Sequence, residues 1–212
     1  IVEYDGTEYH GWQEQAGLKT VQGALEAAIS SVADHEVKVF CAGRTDTGVH
    51  ATHQVIHFDS HKDRNIRAWI YGVNSSLPKD VCVRWGQEVS PDFHARYTAT
   101  SRTYRYVIFN SPIRPALLRS NITWQYRQLN HEFMRAAARD LIGEHDFNAY
   151  RSVECQAQHS NRNIIDIEVQ RSKDIITIDV TANAFLHHMV RNIAGVLMAI
   201  GSGRRPVAWA KE

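Results

Sequence analysis

The 212-residue sequence predicts an α+β fold of two ferredoxin-like (split βαβ, RRM-like) halves, each an antiparallel sheet with helices on one face and an active-site cleft between them. Three observations predict it. Short apolar runs alternate at period two, longer ones repeat at the helical period, and in the first half these runs follow the order βαββαβ. The length allows two cores of about 100 residues each, and 43% hydrophobic with 22% charged residues is ordinary for a globular chain.

In the first half, IVEY (1–4) reads as a strand and Asp5-Gly6 as a turn. A helix follows from Thr20 to Ala33, with Thr20 as N-cap and Val21, Leu25, Ala28, Ile29 and Val32 as its apolar stripe. Strands at 37–41 and 52–58 flank a charged turn. A shorter helix at 66–73 and a strand at 81–85 complete the unit. The second half repeats this coarsely, with a strand at 103–109, a helix at 129–142, a hairpin of 164–169 with 175–180, and a helix from Phe185 to Ile200 that ends at Gly201 and Gly203. It is one strand short, so a further C-terminal segment is expected. The chain also opens without Met inside a strand, which predicts residues before Ile1. The expected domains are 1–93, a connector 94–102, and 103–212.

Composition narrows the function. No apolar run is long enough to cross a bilayer, and Cys41, Cys82 and Cys155 are odd in number and far apart, which argues against a disulfide scaffold and for a reducing cytoplasm. The net charge of +1 hides an asymmetry, because residues 1–92 carry −5 and residues 93–212 carry +6. Between Phe93 and His131 stand Arg96, Arg102, Arg105, Arg114, Arg119 and Arg127, with no lysine and no acid. Such a block suits a polyanion, since the guanidinium fork makes bidentate phosphate contacts and stacks on bases.

The stretch AGRTDTGVHA (42–51) places Arg44, Asp46 and His50 on a glycine-flanked turn after a strand, so Asp46 stands exposed at the strand end. Taken alone, that turn is compatible with a structural Asx-turn. Its DTG triplet does not make an aspartic protease, which needs two carboxylates sharing one proton in an all-β frame. Tyr104 and Tyr106 alternate with Arg105 and share a strand face, as base-stacking aromatics do. On the last helix, Leu186, Val190, Ile193, Leu197 and Ile200 form the buried stripe, and His187 with Arg191 occupies i and i+4 on another face. Adjacent His187 and His188 face different sides of a helix, and His50, His53 and His57 offer only one same-face pair, so no metal site is expected.

The blocks EYDGTEYHGWQ (3–13), AGRTDTGVHA (42–51), NSSLP (74–78), DFHARY (92–97), RTYRY (102–106) and HHMVRNIAG (187–195) together resemble the tRNA pseudouridine synthase A family. The resemblance implies isomerisation of uridine to pseudouridine in the anticodon stem-loop of tRNA (positions 38–40), with Asp46 as nucleophile. It implies that Tyr104 stacks on the target uracil, that Arg191 pairs with the aspartate, and that Arg44 helps hold the extruded nucleotide. Arg96, Arg102 and Arg105 are expected to contact substrate. The reaction is redox-neutral and involves no hydrolysis, so neither cofactor nor metal is implied; a homodimer with tRNA as partner is. Glu14 departs from the family, which commonly has Arg there, and Thr47 replaces a frequent Ala. A non-catalytic RNA-binding protein of tandem RRM-like units is the alternative, although no segment matches the RNP1 aromatic pattern.

Overall fold

A computed structural model describes residues 1–211; Glu212, the last residue of the expected second domain, lies outside the described residues. The architecture is α+β, with four α-helices and three sheets among those residues. The chain divides into two compact units, Ile1–Ala99 and a second from Thr100 onward. No described helix is long and apolar enough to cross a membrane.

The first unit runs β1 (Val2–Tyr4), α1 (Val21–Ala33), β2 (Phe40–Cys41), β3 (Ala51–Gln54), β4 (Ile56–His57), α2 (Ile66–Ser76) and β5 (Val81–Val83). Strand β1 lies between β3 and β5, antiparallel to both, while β2 pairs with β4 in a separate ladder. The single strand expected at 52–58 is therefore broken, with the Val55 carbonyl at the break accepting from Ala42 N at 2.9 Å. The strand expected at 37–41 starts only at Phe40. Val37 N and Val39 N donate instead to Ser30 Oγ (2.9 Å) and Glu26 Oε1 (2.9 Å), so side chains of α1 take the donors a ladder would have used. Thr20 caps α1 as expected, its Oγ1 accepting from Gly23 N at 3.3 Å, and Val21, Leu25, Ala28 and Ile29 are buried.

The second unit runs β6 (Arg102–Asn110), β7 (Thr123–Gln125), α3 (His131–Arg139), β8 (Gly143–Asp146), β9 (Asn161–Ser172), β10 (Ile175–Ala182) and α4 (Met189–Gly201) in one sheet of order β7-β6-β10-β9-β8 plus two helices. The expected hairpin is β9 with β10, and the alternation along β10 buries Ile176, Ile178, Val180 and Ala182. Along β9 the register shifts opposite Thr181 and Ala182, which turns Ile165 outward at 52% exposure while Ile164 and Ile167 stay inside.

Two strands of this sheet have no apolar alternation to announce them. The parallel β7 is held by buried Asn110, whose Nδ2 donates to the carbonyls of Gln125 (2.9 Å) and Arg127 (2.7 Å) and whose Oδ1 accepts from Leu129 N (3.0 Å). The polar β8, Gly143-Glu-His-Asp, is ordered by its pairing with β9. Both helices are shorter than expected. Helix α3 begins after Asn130, whose Oδ1 accepts from Glu132 N and Phe133 N at 3.0 and 3.2 Å. Helix α4 begins at Met189, because His188 takes up a left-handed conformation (φ 61°). This moves the buried stripe to Met189, Ile193, Ala194, Leu197 and Ile200, with Val190 only half-buried.

Candidate active site

In the first unit, β2 leads directly into the charged turn, and β3 leads out of it. The turn itself is irregular backbone. Its shape comes from what lies beneath. Gly6 approaches so closely that a Cβ there would overlap the Val49 carbonyl, and a Cβ on Gly11 (φ 85°) would come within 2.8 Å of the Thr45 carbonyl oxygen. Backbone bonds tie the same segments together, Trp12 N donating to Thr45 O at 2.9 Å and Gly48 N to Tyr9 O at 3.3 Å. The opening block EYDGTEYHGWQ is thus the floor of the turn. Close approach requires both glycines, and the left-handed backbone of Gly11 requires that one a second time.

Side chains secure the base of the turn. Buried Gln54 donates through Nε2 to Gly43 O (2.6 Å) and to Tyr4 Oη (3.3 Å), and the Tyr4 hydroxyl lies 2.8 Å from Thr45 Oγ1. Gly43 and Thr45 are the two neighbours of Arg44, so this Gln54–Tyr4 strap holds the Gly43 carbonyl on one side of it and the Thr45 side chain on the other. Neither strap residue carries a sequence signal beyond that of a polar group inside an apolar strand. Asp46 itself is half-buried, its carbonyl accepting from Val49 N at 3.1 Å, and Arg44 is exposed. His50 plays a structural part. Its Nδ1 accepts from Gly6 N (3.1 Å) and lies 3.0 Å from the Asp5 carboxylate.

A second network, partly open to solvent, locks the floor. The Tyr9 hydroxyl donates to Asp80 Oδ1 at 2.6 Å, and Lys19 Nζ meets Oδ2 at 3.0 Å. Burial, and then the Asp80 carboxylate, raise the Tyr9 phenol above its ordinary range, so it stays a donor. Next to the turn, burial pushes the Cys41 thiol up to about 11 against the opposing pull of Arg44 and Arg96, so both guanidiniums stand near it. Arg96 also lies over the Tyr97 ring, 5.7 Å from its centroid.

In the second unit, Tyr104 sits on β6 opposite Val180 of β10, and its ring meets Phe185 edge-on at 4.9 Å. Arg102 donates to Asn183 O at 2.8 Å. Arg105, on the other face of β6, spends its fork on Asp179 directly across the sheet, with two contacts of 2.7 Å. The acid missing from the arginine block in sequence is thus supplied by another strand. Arg191 is exposed in the first turn of α4, which packs on β6. The i,i+4 relation of His187 to Arg191 does not form, because His187 precedes the helix. The adjacent imidazoles instead lie against each other, tilted by 31° at 3.9 Å, rather than facing different sides of a helix.

A family model described as tRNA pseudouridine synthase matches residues 1–98 and 137–212. Tyr104, Arg102 and Arg105 lie between the two matched segments, whereas Asp46 and Arg191 lie within them. The chain is similar to tRNA pseudouridine synthase A of Legionella pneumophila (strain Lens), at 63% identity over all of this chain and 81% of that protein. It is also similar to the proteins of the same name from Alcanivorax borkumensis, at 54% identity over all of this chain and 79% of that protein, and Coxiella burnetii (strain Dugway 5J108-111), at 54% over 99% and 80%.

Proposed function

The chain belongs to the tRNA pseudouridine synthase A family, a family of isomerases, and from that premise we propose that it converts uridine to pseudouridine in the anticodon stem-loop of tRNA with Asp46 as nucleophile. The observation that carries the assignment is the Asp46 turn itself. A half-buried carboxylate on irregular backbone, strapped by Gln54 and Tyr4 and floored by Gly6 and Gly11, is built to hold one group in one place.

The isomerisation breaks the bond from N1 to C1′, turns the uracil, and joins C5 to C1′. C5 loses a proton and N1 gains one, so atoms and electrons balance without an outside reagent. Asp46 acts as an ionised carboxylate, whether it adds to C6 of the base or attacks C1′ of the ribose. In this reading Arg191 stabilises that charge, Tyr104 stacks on the uracil and is placed to receive the C5 proton, and Arg44, Arg96 and Arg102 hold the RNA. Arg105 is left out of that set, since Asp179 already occupies its fork.

The same reading takes each unit as a ferredoxin-like half, supported by the strand orders β3-β1-β5 with β2-β4 and β6-β10-β9. Homodimerisation and a cytoplasmic site of action go with it. The test is to incubate the protein with a uridine-containing tRNA transcript and map pseudouridine by carbodiimide-blocked primer extension. Asp46→Ala should slow modification by about 10⁴-fold or more while tRNA still binds. A variant as fast as its parent would return the chain to the non-catalytic RNA-binding alternative.

A further inference from the structure

We infer that Phe40, His57, His94 and Tyr97 form a stacking surface for unpaired nucleobases of the RNA substrate, separate from the residues assigned to the target uridine. This rests on the tRNA reading above. The rings form a continuous cluster on the first unit. Phe40 and His57 are direct partners on β2 and β4 and stack at 5.1 Å with a 20° interplanar angle. His94 lies 4.5 Å from His57 and 5.5 Å from Phe40, and Tyr97 lies 4.2 Å from His94.

The cluster is not a piece of the core. Along 37–41 the side chains of Val37, Val39 and Cys41 point inward and join the buried cluster, which leaves Phe40 on the opposite face at 47% exposure. Tyr97 is 76% exposed. Large exposed rings that touch each other mark a recognition surface more often than a folding requirement.

Their positions are fixed in advance. His57 Nδ1 accepts from Ala95 N at 3.2 Å, and His94 Nδ1 accepts from Arg96 N and Tyr97 N at 3.1 and 3.3 Å. Thr98 Oγ1 donates to the His94 carbonyl at 2.7 Å, closing the turn. Both imidazoles use Nδ1 as an acceptor, so their ring planes are set by the backbone and present flat π-faces. Rings ordered before binding lose little entropy on stacking. Charge selects the occupant, because Arg96 over the Tyr97 ring places a cation beside the cluster, as a phosphate next to a stacked base requires.

The experiment is filter binding of a uridine-containing tRNA transcript across a salt series, with thermal melting of each variant to confirm folding. Tyr97→Leu and Phe40→Leu should each weaken binding by about 5- to 100-fold, with an unchanged slope of log affinity against log salt, because stacking releases no counterions. Tyr97→Phe should bind like the parent, and Arg96→Gln should lower the slope by about one. Leu variants that bind within about twofold of the parent would overturn the stacking surface even if the protein makes pseudouridine. A parent that makes none, with Leu variants that lose tRNA, would keep the surface and overturn the catalytic reading instead.

Discussion

Asp46 and Tyr104 are held in opposite ways. Tyr104 sits on a nine-residue strand inside a five-stranded sheet, where its position follows from a continuous ladder with β10 and from a core of Ile108, Ile176, Ile178 and Ile193 behind it. Asp46 sits where strands of two to four residues give out, and Gln54, Tyr4, two close-packed glycines and a few irregular backbone bonds define its turn. A ladder spreads its load over many equivalent bonds. A strap concentrates it in a few side chains, so the loss of one side chain displaces the site in the first unit and leaves it in register in the second.

The largest expected effect tests the ladder. Ile178 is fully buried in the second unit, and Ile178→Ala should cost about 2–5 kcal/mol in urea denaturation. Turnover per folded molecule should hardly change, because the register of Tyr104 does not depend on one core side chain. A large fall in kcat at constant folded fraction would break the contrast. The strap should answer the other way. Gln54→Met keeps volume but strands the Gly43 carbonyl, at a cost of about 1–3 kcal/mol. Its kcat should fall about 10- to 100-fold, beyond what the stability loss explains, and that excess is the signature of a displaced Asp46 turn.

Acid gives the smallest effect and sharpens the same contrast. Two carboxylates support the first unit. Burial opposes the charge of each, but Tyr9 and Lys19 hold Asp80 below its ordinary 3.8, and the Val39 amide, Gln22 and Lys38 hold Glu26 below 4.5. Both values are depressed on folding, so the stabilisation is present at neutral pH and fades as pH falls from 4.5 through the folded values. The melting temperature should decline over that window. Asp80→Asn should lower it at pH 7 and flatten the decline; an unchanged acid limb would show that the Tyr9–Asp80 clamp carries no stability.

Much of this was legible in residues. The Thr20 cap and the stripe of α1, the β9–β10 hairpin and the end of α4 near Gly203 follow from local rules of period and capping that need no tertiary partner. The blocks around Asp46 and Arg191 point to the family for the same reason: a reactive group needs a fixed local frame, and the frame is written beside it. What local rules missed was polar. Strands β7 and β8 lack alternation, and Asn110 and the edge of β9 order them from outside. The late start of α4 depends on a left-handed His188, which no periodicity signals.

The sequence alone therefore determined the α+β class, most of its elements and the chemical identity of the candidate site. The class and the elements rest on residue type and spacing along single stretches of chain, and the candidate site on six such blocks taken together as a family resemblance. Tertiary structure decided which groups remain available. It engaged Arg105 with Asp179 across the sheet, made Gly6 and Gly11 the floor of the Asp46 turn, and gathered Phe40, His57, His94 and Tyr97 into one surface. Each of these is a meeting of residues distant in the chain, set by strand pairing and close packing, and spacing along the chain carries no trace of it.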